Sequence, residues 1–113
     1  MSKEWIVKTL ERLGLRHKDA EVYVYLAQNC PQKARDLAEA LETYKQQLYR
    51  SLRKLQHKGL VTASQDHPAL FSAVSFDKIL DQFIKTNREE AQRIEEDKEQ
   101  ILAMWRSKIL EER

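Results

Sequence analysis

Five basic side chains, Lys45, Arg50, Arg53, Lys54 and Lys58, fall in the segment from Thr43 to Lys58 with no acid among them. The amides Gln46 and Gln47 share that segment, and the first acid after Glu42 is Asp66. Guanidinium and ammonium groups neutralise phosphates. Arg also donates two parallel hydrogen bonds to guanine, and Gln does the equivalent for adenine. At 100° per residue, Gln46, Arg50, Arg53 and His57 fall within about 60° of one another on a helix, and Leu48, Leu52 and Leu55 do so on the opposite side. The segment therefore reads as a helix with one packing face and one long, basic, amide-bearing face. Gln46, Gln47 and Arg50 are the candidate base readers. Arg53, Lys54 and Lys58 are the candidate phosphate contacts, with Lys45, Lys33 and Arg35 as outer contacts. His57 reads as a surface side chain, and Tyr23 and Tyr49 as core residues.

Other chemistries find little support. His17, His57 and His67 share no metal-ligand spacing, Cys30 is the single cysteine, and no glycine-rich phosphate loop occurs. No acid pair is framed by apolar residues in the manner that tunes carboxyl groups for hydrolysis. No enzyme, no cofactor and no metal are expected. Cys30, beside Pro31, reads as a small apolar residue, with intermolecular pairing as the alternative. The longest apolar run, Val22 to Ala27, is too short for a bilayer, and the N-terminus MSKEWIVKTLER lacks a signal-peptide core. A cytoplasmic protein without a membrane partner is expected.

These residues must be positioned by a thin globule. The chain has 113 residues, 42% hydrophobic and 34% charged, which allows one modest core. Net charge is only +2, so its placement on one segment carries the information. Ile6, Leu10 and Leu13 predict a helix over 4–13 capped by Gly14, and Val22, Tyr23 and Leu26 a second over 18–28, ended by Asn29-Cys30-Pro31. A short third helix spans 33–41 around Ala34, Leu37, Ala38 and Leu41. Glu42-Thr43 is a tight turn, with Thr43 as N-cap for a fourth helix over 44–58 that Gly59 ends. Strands over 60–64 and 70–74, joined by Gln65 to Ala69, predict a hairpin. From Phe76 to Arg113 neither Gly nor Pro occurs, and Ser75 offers an N-cap for one long helix.

That helix would be on the order of 57 Å long, against a radius of gyration of roughly 13 Å for a compact domain of this size. It is expected to project and to need a partner. Its stripe runs Leu80, Ile84, Asn87, Ala91, Ile94, Lys98, Ile101, Trp105, in alternating steps of four and three. The tail from Ser75 onward has eight basic and ten acidic residues, the balance of a solvated helix. Leu80, Ile84, Asn87, Ala91, Ile94, Ile101 and Trp105 are the expected homodimer interface, with Asn87 and Lys98 fixing register. A competing seam through Phe83 and Met104 meets Glu90 and Asp97, and folding back on its own domain is the alternative to pairing. Whether the paired helices are parallel or antiparallel is left open by the irregular seam.

Helix, helix, helix-turn-helix, hairpin and long helix make a mainly α chain with a small β-hairpin. This is a winged helix-turn-helix over 1–75 followed by a coiled-coil dimerisation helix over 76–113. The residues also resemble the N-terminal domain of the TrmB-like family of mainly archaeal transcription regulators. The resemblance lies in LERLGLRHKDAEVYVYLAQ with Leu13-Gly14-Leu15, Ala20, Val22 and Tyr23, in Pro31 followed by ARDLAEALE, and in LYRSLRKLQHKGLV with Tyr49, Leu52, Leu55, Gly59, Leu60 and Val61. It implies a dimeric regulator that binds double-stranded DNA at a pseudo-palindromic site, the helix over 44–58 entering the major groove. Departures are Glu42 where the family usually has glycine, Tyr44 where proline is common, and a wing over 65–69 without Arg or Lys. Larger members carry a C-terminal sugar-binding domain. No small-molecule sensor domain is expected here, and sugar sensing is not carried over. The competing expectation is a winged-helix adaptor whose basic face meets an acidic protein and which has no specific DNA target, with RNA binding as a third.

Overall fold

The structure, a computed structural model, describes residues 3–110. Five α-helices and three strands follow the order α1 (Lys3–Arg12), α2 (His17–Gln28), β1 (Gln32–Lys33), α3 (Ala34–Ala40), α4 (Lys45–His57), β2 (Val61–Ala63), β3 (Leu70–Ala73) and α5 (Phe76–Trp105). The chain divides into two compact units, Met1–Ile79 and Leu80–Arg113.

In the first unit α2 is central: α1, α4 and β3 all pack against it, and α3 packs on α4. Leu10, Leu26, Leu37, Leu48, Leu52 and Leu55 are completely enclosed, each from the apolar stripe of its helix. Three helices end in the same way. After α1 the Gly14 N–H bonds the Glu11 carbonyl and the Leu15 N–H bonds that of Leu10; after α4, Gly59 bonds Gln56 and Leu60 bonds Leu55. Both glycines have positive φ, 104° and 80°. These are Schellman closures, each completed by a buried leucine folding back over the last turn. The third closure follows α3, where Glu42 bonds Glu39 and Thr43 bonds Ala38. Here the left-handed position is held by Glu42, at φ 50°, so the turn forms without glycine at the cost of crowding its Cβ.

The sheet corrects the expected hairpin. It has three strands in the order β1-β3-β2, all antiparallel. Gln32 pairs Phe71 and Lys33 pairs Leu70 on one side of β3; Val61 pairs Ala73 and Ala63 pairs Phe71 on the other. Lys33 was expected on the third helix and instead lies in β1. A strand of two residues has no alternation to read, and its partner is far along the chain. The wing base is stapled by Ser64, whose Oγ accepts the Leu70 N–H at 2.9 Å while its own N–H bonds the Leu70 carbonyl at 2.8 Å. The Tyr23 hydroxyl donates to the Val74 carbonyl and ties α2 to the end of β3. Burial, with Asp77 nearby, pushes the Tyr23 phenol up to about 12.

The second unit is a single helical run. α5 is one unbroken α-helix of 30 residues, and Arg106–Leu110 continue it as a π-helical turn. The expectation of uniform winding to Arg113 is thus corrected at Arg106, and 111–113 lie outside the described residues. From Leu80 onward no described side chain is buried. No helix of the described residues is long and apolar enough to cross a membrane.

Candidate nucleic-acid interface

The fourth helix takes its orientation from what it buries. Leu48, Leu52 and Leu55 are 0–1% exposed, and beside them Ser51 donates its hydroxyl to Asp19 Oδ1 of α2 at 2.6 Å, with both residues buried. The apolar row holds α4 against the core, but leucines alone tolerate small rotations of the helix. A buried hydroxyl–carboxylate bond does not, because misalignment would leave an acceptor unsatisfied away from water. Asp19 is also in the first turn of α2, where the helix dipole favours a negative side chain. The Asp19–Ser51 pair therefore sets which side of α4 faces out, and it is the site feature that sequence reasoning missed. Ser51 falls at the edge of the leucine stripe, a position where serine usually meets solvent.

Opposite that buried face, Gln46, Arg50, Arg53, Lys54 and His57 are all exposed. Lys45 begins the helix and Lys58 caps its end, both exposed. Among the described residues none of Lys45, Arg50, Arg53, Lys54 and Lys58 is in an ion pair, so their charges are not neutralised from within. Gln47 differs: it is half-buried, and its side-chain oxygen accepts the Thr43 hydroxyl at 3.4 Å. Thr43 was expected to cap α4, but the N-cap is Tyr44, without a side-chain cap bond. The Thr43 hydroxyl reaches forward to Gln47 instead of to the backbone.

Tyr49 is also corrected. Expected in the core, it is 40% exposed and stands on the outward side of α4, about 60° round from Leu52 and 40° from Arg53. It lines an open recess of about 350 Å³ with Lys33, Arg35, Lys45, Pro68 and Ala69, while Asp36 and Glu39 line it from α3. β1, α3, the start of α4 and the wing loop thus converge, and the three candidate outer contacts share one hollow. Arg35 is held at 3.7 Å by Glu39, leaving Lys33 and Lys45 as its unpaired cations among the described residues. The wing tip presents Gln65, Asp66, His67 and Pro68 to solvent without a Lys or Arg. No cluster of three His, Cys, Asp or Glu suited to a metal ion occurs among the described residues.

A three-stranded wing beside a helix-turn-helix whose second helix turns a basic face outward is the architecture of a winged helix-turn-helix DNA-binding regulator. The family described as "Sugar-specific transcriptional regulator TrmB" matches residues 10–77. The chain belongs to this TrmB family. No curated protein sequence matches it. Among solved structures it is similar to TrmBL2, an archaeal chromatin protein described as having a novel mode of DNA binding, with a TM-score of 0.82 at 23% identity over 94% of this chain and 41% of that one. The chain thus spans about two fifths of the length of TrmBL2. A protein from the thermoacidophilic archaeon Sulfolobus tokodaii gives 0.66 at 21% identity, covering 82% of this chain and 99% of that one. MepR, a transcription regulator of a Staphylococcus aureus multidrug efflux pump, gives 0.55 at 22%, covering 89% and 82%. At such identities these likenesses establish the fold.

Proposed function

We propose that the protein is a cytoplasmic, sequence-specific transcription regulator that binds double-stranded DNA as a homodimer, with α4 in the major groove. The observation that carries this reading is the exposed, unpaired basic face of α4, turned outward by the leucine row and the Asp19–Ser51 bond. Gln46 and Arg50, on the N-terminal half of the helix, read base edges. Gln47 is the base reader least offered to solvent, since reaching a base requires it to leave Thr43. Arg53, Lys54 and Lys58 hold phosphates, and Lys33, Arg35 and Lys45 grip the backbone from the recess beside the wing. The domain over 1–75 recognises DNA. The helix over 76–113 pairs two copies through Leu80, Ile84, Asn87, Ala91, Ile94, Ile101 and Trp105, which favours a pseudo-palindromic site. Support for the DNA partner comes from the TrmB family match and from structural neighbours described as binding DNA, including MepR bound to an oligodeoxyribonucleotide.

The test is a fluorescence titration with duplex DNA, including sequences selected from a random pool, over a salt series. Log affinity should fall linearly with log salt, with a slope of roughly −0.9 for each phosphate neutralised. Arg50→Ala with Arg53→Ala should lower affinity by about 100-fold or more while leaving the circular dichroism spectrum unchanged. Absence of binding at low salt, or unchanged affinity in the double variant, overturns the reading.

A further inference from the structure

The exposed stripe of α5 carries information about how two copies meet. Resting on the homodimer reading proposed above, we infer that the second copy lies antiparallel along α5, with the two-fold axis crossing between Gln92 and Arg93. In a pair of α-helices with a seven-residue stripe, the two stripe positions of each heptad, a and d, face like positions when the chains are parallel. They face each other when the chains are antiparallel. Here Ile84, Ala91, Lys98 and Trp105 form one set, and Leu80, Asn87, Ile94 and Ile101 the other.

With the axis between Gln92 and Arg93, Leu80 faces the partner's Trp105, Ile84 its Ile101, Ala91 its Ile94, and Asn87 its Lys98. The two polar residues of the stripe then share a layer, where the Asn87 carbonyl can accept from the Lys98 ammonium, and every other layer is apolar. Ala91, the smallest residue of the stripe, meets a β-branched Ile94. In parallel, in-register pairing Lys98 would face the partner's Lys98, two cations in an apolar seam, and Trp105 would face Trp105. Moving the antiparallel register by one heptad, so that Lys98 meets Ile94, sets Asn87 against Trp105 and parts the two polar residues.

Charges on one flank of the stripe favour this pairing, whereas on the other flank Glu90 faces the partner's Asp97. Arg88 and Glu95 are on the same flank, exposed, and in no ion pair among the described residues, whereas Glu90 is held by Arg93 at 3.4 Å within its own helix. Antiparallel pairing brings Arg88 against the partner's Glu95 twice per dimer. Parallel pairing brings Glu90 against Glu95 instead. The ends agree as well. Leu80 and Trp105 bound the stripe and face each other, and regular α-helical winding stops at Trp105, where the π-helical turn begins. A π-turn changes the number of residues per turn, so a seven-residue stripe cannot continue through it in phase. The apolar stripe residues are there to be covered: Ile84, Ile94, Ile101 and Trp105 are all about half exposed.

The test uses the full chain with Cys30→Ser, since Cys30 is an exposed free thiol. Mixed Asn87→Cys and Lys98→Cys proteins should form a disulfide-linked heterodimer under mild oxidation, and Asn87→Cys alone should not cross-link. Glu95→Arg should weaken the dimer by about tenfold, Arg88→Glu likewise, and the two together should restore it. Parallel helices give the reverse: Asn87→Cys links to itself, and Glu95→Arg, meeting Glu90, tightens the dimer. That result overturns the arrangement and leaves the homodimer standing, as does a dimer in which neither cysteine pair links. A monomer by light scattering at micromolar concentration overturns both.

Discussion

The two units of this protein solve the problem of burying apolar side chains in opposite ways. In Met1–Ile79, helices close with Schellman turns, six leucines are fully enclosed, and Ser51 bonds Asp19 within the core. In the described part of Leu80–Arg113 nothing is buried, and isoleucines, Met104 and Trp105 face solvent at about half their area or more. The first unit draws its stability from its own tertiary contacts. The second has helix propensity and charge spacing, and an isolated helix is marginal in water unless a partner covers its apolar side. On the proposed reading, recognition belongs to the first unit and assembly to the second, and substitutions in one unit should leave the other readable.

The largest expected effect is in the first unit. Leu52→Ala should destabilise it by about 2–5 kcal/mol, seen as a lower denaturation midpoint at every protein concentration. The counterpart Ile94→Ala should act mainly through the concentration dependence of melting, because its cavity would be at an interface. If Ile94→Ala lowered the midpoint equally at all concentrations, the division of labour would fail. Next, Ser51→Ala leaves the buried Asp19 carboxylate without its donor and should cost about 1–3 kcal/mol. Adding Asp19→Ala should recover part of that loss in urea unfolding, and strict additivity would remove the pair from the account. A smaller gain is expected from Glu42→Gly. Glycine relieves the left-handed backbone at φ 50° but loosens the unfolded chain, for a net stabilisation of about 0.5–1 kcal/mol. A loss instead would show that the third helix closure is not strained.

The remaining effects follow pH. His17 is bridged by Glu11 and Glu21, and its pKa is raised, chiefly by the hydrogen bond its ring N–H donates to the Glu11 carboxylate and then by the charge of Glu21. Its contribution is present below the unfolded value near 6.5 and is lost as pH rises through the higher folded value. His17→Gln should flatten that part of the stability profile. Tyr23 acts at the other end of the range. With its phenol raised to about 12 in the folded state, the unfolded chain ionises first. Stability should fall as pH rises from about 10 toward 12, and Tyr23→Phe should remove that fall.

Much of the α4 face was legible because it depends on one helical period: Leu48, Leu52 and Leu55 against Gln46, Arg50 and Arg53 separate on any helical wheel. Gly14 and Gly59 were equally readable as helix ends. Tyr49 was not, since an aromatic residue among leucines reads as core, and only the direction of the α2 contact leaves it outside with Arg53. β1 was illegible for another reason. Two residues without a pattern become a strand only because β3 passes beside them. The Thr43 hydroxyl, which reads from the sequence as a cap for the backbone, bonds the Gln47 side chain because the helix begins one residue later.

The chain's own order of residues determined the kind of elements, the place of the turns and the concentration of positive charge on one helix, because these follow from periodicity and composition within a few turns. Only the tertiary structure decided which side of that helix meets solvent and which cations gather beside the wing, because both depend on contacts between residues far apart in sequence. Asp19 and Ser51 lie on helices separated in sequence by a strand and a third helix, and their bond is what turns a basic segment into an oriented surface.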